Sequence, residues 1–132
     1  MQENQKKQSQ TKKSLERPFS AKVINDFTAK IDQIKFDNRG LVPVIAQSEK
    51  TKEVLMLAWV NKQALLKSFT TGLAHYYSRS RRDLWQKGET SGNIQEVKKI
   101  LLDCDHDAVL YLVKQKGPAC HTGARNCFFN EI

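Results

Sequence analysis

Asp103-Cys104-Asp105-His106-Asp107, followed by Cys120-His121 and by Cys127, gathers all three cysteines, two of the three histidines and three alternating carboxylates into the last quarter of a 132-residue chain. Thiolate and imidazole suit zinc, and clustered carboxylates suit a hard cation such as magnesium, so the segment carries ligands for two kinds of ion. An extended backbone over 103–107 would turn Asp103, Asp105 and Asp107 to one side and Cys104 and His106 to the other. Three thiolates leave a tetrahedral zinc one ligand short: a water in that position makes the ion catalytic, whereas His121 in it closes the site. The spacings 104 to 120 and 120 to 127 match no CxxC finger, so these residues by themselves leave catalytic zinc, structural zinc and inert buried thiols open. The aspartates by themselves read slightly better as a solvated turn.

A second group has different chemistry. Arg79, Arg81, Arg82 and Lys87 stand among Ser78, Ser80, Thr90, Ser91 and Gly92, a mixture of cations and hydroxyl donors that encloses discrete phosphates better than it tracks a polymer backbone. The net charge of +8 divides into +3 over residues 1–17, with five Lys or Arg against two Glu, and +5 over the remainder, with 17 against 12. A basic folded part implies an anionic partner. No recognition motif or basic stripe with stacking aromatics accompanies the charge, which argues against nucleic acid and for a phosphorylated small molecule.

Elements must hold these groups in place. At 132 residues the chain suits one domain with a core, expected over 18–132 behind a disordered basic tail at 1–17. Neither a secretory signal nor a run of about 20 apolar residues is found, and three cysteines do not make a disulfide framework; the expectation is a soluble cytoplasmic protein with no membrane association. Val23, Ile24, Phe27, Ile31 and Ile34 recur at helical spacing behind Ser20 as N-cap, predicting a helix that covers one face of a sheet. Asp37-Asn38-Arg39-Gly40 is a turn signal, and the runs 41–47 and 54–60 predict a hairpin. Asn61 and Gly72 bracket a second helix. Short strands follow at 74–78 and 84–85, and the runs 97–102 and 108–113 predict two strands facing each other across the Asp-Cys-Asp segment, at a turn or strand end where functional groups gather. The fold class is α+β: a small, mostly antiparallel sheet or partial barrel with about two helices.

Four of these segments together form a recognisable pattern. Ser78-Arg79-Ser80-Arg81; Leu84-Trp85-Gln86-Lys87-Gly88-Glu89-Thr90-Ser91-Gly92; Leu102-Asp103-Cys104-Asp105 with Asp107; and Gly117-Pro118-Ala119-Cys120-His121-Thr122-Gly123 with Cys127-Phe128 closely resemble the phosphoribosyl-AMP cyclohydrolase family of histidine biosynthesis, over roughly residues 34–129. Four motifs in the right order carry a specificity that no single one has.

The resemblance implies an intertwined homodimer that hydrolytically opens the adenine ring of phosphoribosyl-AMP with zinc and magnesium. It implies zinc on Cys104, Cys120 and Cys127, drawn from both subunits, and magnesium on Asp103, Asp105 and Asp107. With the chain ending at Ile132, the resemblance is to the single-function form. His121, beside a zinc ligand, becomes the candidate acid/base. Arg79, Arg81, Trp85, Lys87, Thr90 and Ser91 become candidate substrate contacts, although a half-buried strand tryptophan and surface charges explain several of them equally well. His75, in an aromatic strand, reads as core. His106 stands where the family commonly has glycine, Asn93 where it frequently has histidine, and Ala124 and Asn126 replace its usual basic and serine residues. Two rivals remain to be weighed: a zinc-stabilised binding module without catalysis, and a nucleobase deaminase, whose His-x-Glu and Pro-Cys-x-x-Cys signature is missing.

Overall fold

The computed structural model describes residues 19–132; the tail expected over 1–17 lies outside the described residues. Ser20 caps the first helix, α1 (Ala21–Ile31), its hydroxyl accepting from Val23 N. Asp37 then closes the predicted turn by accepting from the backbone N–H groups of Arg39 and Leu41. β1 (Val42–Ser48) and β2 (Val54–Val60) form the predicted antiparallel hairpin, with an irregularity between Ala46 and Gln47. Asn61 caps α2 (Lys62–Thr71) through Ala64 N, and Gly72 ends it with φ of 79°, the left-handed C-cap position that glycine fills without strain.

β3 (His75–Ser78) and β4 (Asp83–Gln86) make a separate two-stranded sheet. β5 (Gln95–Leu102) and β6 (Val109–Gln115) then pair antiparallel. β6 inserts beside β1 in parallel, giving a four-stranded sheet of order β2-β1-β6-β5. The architecture is α+β with a mixed sheet, and no closed barrel forms among the described residues.

The sheet is two-faced. Val42, Val44 and Ala46 of β1 and Val109, Tyr111 and Val113 of β6 alternate inward and are buried, together with Leu65 of α2 and Tyr76 of β3. α2 and the small sheet therefore cover this face. α1 stacks on α2, with the Phe27 and Phe69 rings 3.9 Å apart, and reaches the core through Ile31 and the following Ile34, with Phe27 packed against its edge. On the opposite face Leu57, Ile45, Leu110 and Leu101 align by register into one row across all four strands. Leu57 is 50% exposed, Ile45 38% and Leu101 43%.

Two buried polar clusters lock the layers together. The Ser68 hydroxyl accepts from His75 N and lies 2.9 Å from the Tyr111 hydroxyl. Gln95, fully buried, accepts from the Tyr76 hydroxyl and donates to Gln115 Oε1 at 2.8 Å. Such groups are expensive to bury unpaired, so the pairings fix how β3 sits on β5 and β6.

Candidate metal and substrate site

The connection between β5 and β6 is a tight turn, so 103–107 is not extended. The Asp103 carboxylate accepts from the N–H groups of Asp107 and Ala108, His106 N donates to Asp103 O, and His106 adopts φ of 62°. That backbone conformation suits glycine, which gives a physical reason for a glycine at this position. The turn still brings the carboxylates together: one oxygen each of Asp103, Asp105 and Asp107 lies within 4.8 Å of the others, all exposed. Some loss of hydration acts to raise Asp103, yet the N–H groups of Asp107 and Ala108 hold its carboxyl below the usual carboxylate range. Hydrogen bonding to Asp103 and then to Asp105 raises the pKa of Asp107, and the like charges of the two neighbours act in the same direction. Three oxygens so disposed suit a divalent cation. Cys104 is exposed on this same turn.

Cys120 and Cys127 lie elsewhere. After β6 the chain makes an irregular loop, closed by Cys120 N donating to Ala124 O, Gly123 N to Cys120 O and Ala119 N to Arg125 O. Glu53, just before β2, takes Arg125 with one carboxylate oxygen and Asn126 with the other, and Cys127 N donates to Leu55 O at 2.8 Å. This clamp places the Cys127 thiol within hydrogen-bonding reach of Cys120. Thr122 Oγ1 donates to Cys120 Sγ at 3.1 Å and, with Lys87 nearby, lowers that thiol's pKa; burial and then Cys120 itself push Cys127 up. Two thiols tied together in this way, one of them biased toward thiolate, suit a soft metal. His121 is exposed on the turn beside them.

Within one chain the third cysteine does not join this pair. Cys104 precedes the first residue of β6, whereas Cys120 and Cys127 sit at the far end, where β6 finishes and β2 begins. Seven strand residues separate the two ends, roughly 20 Å at the rise of a strand.

The substrate candidates divide along the same line. Lys87 donates to Ala119 O and belongs with the thiol end; Thr90 and Ser91 are exposed on the turn that follows, with Ser91 Oγ accepting from Asn93 N. Asn93 in turn packs against Gly117, where a Cβ would come within 2.4 Å of its Oδ1. Arg79 and Arg81 stand at the carboxylate end and share with Trp85 a cleft of about 570 Å³. The Trp85 ring also packs on Tyr76 at 5.0 Å, so it is both wall and core. Two residues that the sequence did not single out join this cleft: Arg39, read there only as part of a turn, and Trp59, read only as a strand residue. His75 is buried with Nδ1 2.8 Å from Leu73 O, a core histidine as its strand suggested, and burial lowers its pKa.

Comparison with known proteins adds a family to this geometry. The phosphoribosyl-AMP cyclohydrolase family model matches residues 56–129. The chain is similar to the phosphoribosyl-AMP cyclohydrolase of Archaeoglobus fulgidus, 59% identical over 100 residues, which are 76% of this chain and 93% of that protein. It is 62% identical over 99 residues to the phosphoribosyl-AMP cyclohydrolase of Methanospirillum hungatei, covering 75% of this chain and 76% of the relative. It is 55% identical over 101 residues to the histidine biosynthesis bifunctional protein HisIE of Aquifex aeolicus, covering 76% of this chain and 49% of that protein.

Proposed function

Because the chain belongs to the phosphoribosyl-AMP cyclohydrolase family, we propose that it hydrolyses the N1–C6 bond of the adenine ring of 1-(5-phosphoribosyl)-AMP in histidine biosynthesis, as a homodimer using zinc and magnesium. The observation that carries the reading is the Cys120–Cys127 thiol pair, held beside Lys87 and His121 inside the matched segment. Zinc on Cys104, Cys120 and Cys127, when bound, supplies a water whose pKa falls toward neutrality, with magnesium on Asp103, Asp105 and Asp107 assisting.

The remaining work belongs to side chains. Carbon 6 is electrophilic because N1 carries a ribosyl group, so the residues must orient the ring and move a proton. His121, exposed next to Cys120, takes or returns that proton. Trp85 offers a face for the purine. Arg79 and Arg81 hold a substrate phosphate at the carboxylate end, while Lys87, Thr90 and Ser91 contact the substrate at the thiol end.

The same geometry supports the proposed assembly into a dimer. One chain offers two thiols at one end of the sheet and the third at the other, and a twofold partner brings opposite ends together. The row of exposed Leu57, Ile45 and Leu101 with half-buried Leu110 is an apolar surface of the kind that a second copy covers. The test of the reaction is ultraviolet monitoring of phosphoribosyl-AMP with purified protein. Ring opening is expected, with loss after chelation and recovery on adding zinc and magnesium; unchanged substrate with the metal-loaded protein would refute it.

A further inference from the structure

The cleft at the carboxylate end contains more positive charge than the two motif arginines account for. Arg39, Arg79 and Arg81 line it, and a second hollow of about 340 Å³ shares Arg39 and Arg79 and adds Arg82. Among the described residues none of these four makes an ion pair. The neighbouring carboxylate, Asp37, is occupied by the N–H groups of Arg39 and Leu41 and only feels the charges of Arg39 and Arg79. Four cations with no ion-pair partner among the described residues repel one another and favour a ligand with concentrated negative charge.

The surroundings define that ligand more closely. Arg79 Cζ lies 4.5 Å from the centre of the Trp59 ring, a cation–π contact that restrains the guanidinium. A guanidinium's fork of N–H donors matches the paired oxygens of a phosphate. Ser78 Oγ accepts from Arg81 N at 3.2 Å, tying the loop that carries both arginines. The position is also telling: Lys35, four residues before Arg39, donates its N–H to His106 O at 2.8 Å, so the Arg39 turn is joined to the aspartate turn. A phosphate here would lie at the same end of the sheet as the candidate cation ligands.

We propose that this cleft is a phosphomonoester subsite in which Arg39 and Arg79 grip the phosphate and Trp59 sets the orientation of Arg79. The assignment of Arg39 and Trp59 deepens the proposed reaction and rests on it for the identity of the substrate, but not for the presence of the subsite. Arg39 is exposed and holds its turn through its backbone N–H, so Arg39→Ala is expected to fold normally, checked by circular dichroism.

In the metal-loaded full chain, Arg39→Ala should raise KM for phosphoribosyl-AMP roughly 10- to 100-fold and leave kcat within a few-fold, with Arg39→Lys recovering part of the loss. Inorganic phosphate and ribose 5-phosphate should compete with substrate in the natural protein and much less in the variant. Trp59→Leu should shift KM in the same direction. Trp59 is one of only two tryptophans, so titration with inorganic phosphate should also change the emission of the chain without turnover. A fluorescence response that Arg39→Ala abolishes, in a protein that leaves phosphoribosyl-AMP intact, would keep the subsite and remove the proposed reaction. Unchanged KM in both Arg39→Ala and Arg79→Ala, or no fluorescence response to phosphate, would overturn the subsite.

Discussion

The two ends of the central sheet hold their ligands by different means. At the carboxylate end the Asp103–Asp107 turn is held largely by its own backbone and side chains, with bonds spanning three to five residues and one tie to Lys35. At the thiol end local bonds close the loop around Cys120, but they do not by themselves place Cys127. Cys127 takes its place because Glu53, more than 70 residues earlier, grips Arg125 and Asn126, and because Leu55 accepts from its backbone N–H. The first end is preorganised by a turn and the second by the tertiary fold, so damage to the fold should reach the thiols before the carboxylates.

That contrast can be broken most severely at His121. On the proposed role, His121→Ala retains zinc and melting temperature but loses roughly 10²–10⁴-fold in turnover. Parallel losses of zinc content and thermal stability would instead make His121 a ligand or a structural group, and normal turnover would move proton transfer elsewhere.

A smaller effect sharpens the difference between the ends. Glu53→Ala removes the clamp behind Cys127 and should weaken zinc affinity by about 10- to 100-fold, the range typical of groups that orient metal ligands. Magnesium affinity should stay unchanged, because the aspartate turn does not touch Glu53. Equal loss of both metals, measured by competition titration with chelators, would show that the ends are not independent.

The smallest effect should spare neither end. Burial lowers the pKa of His75 below its ordinary 6.5, so in that window the unfolded chain binds more protons than the folded one. Stability is therefore fully present above the unfolded pKa and declines as pH falls from there toward the lowered folded value. The melting temperature should decline over that interval, and the decline should be shallower in His75→Gln. An identical acid profile in the two proteins would assign the sensitivity to other groups.

The difference between the ends also explains what was legible in the sequence. Helix limits at Ser20, Asn61 and Gly72 and the hairpin over 42–60 follow from local capping and alternation, and the structure has them. The carboxylate cluster is visible as a spacing and its place at a turn or strand end follows from the flanking strand runs, whereas the positive φ of His106, which rules out the extended alternative, does not. The parallel insertion of β6 beside β1, by contrast, depends on a crossover of some sixty residues. Without it, neither the distance from Cys104 to the other thiols nor the Glu53 clamp is readable from spacing. Arg39 and Trp59 were missed for the same reason, since separate elements bring them to Arg79.

The central claim is that one chain holds an incomplete thiol set and that a second copy completes it. Cys104→Ser and Cys127→Ser chains should each be inactive alone. Mixed in equal amounts, unfolded and refolded together with zinc, they should regain about a quarter of the natural activity: random pairing makes half the dimers mixed, each with one intact site of two. Each mixed dimer carries that intact site because its unaltered Cys104 and its unaltered Cys120–Cys127 pair come from different chains. No recovery beyond the separate variants, with dimers present in sedimentation, or full activity in a strictly monomeric natural protein, would contradict it.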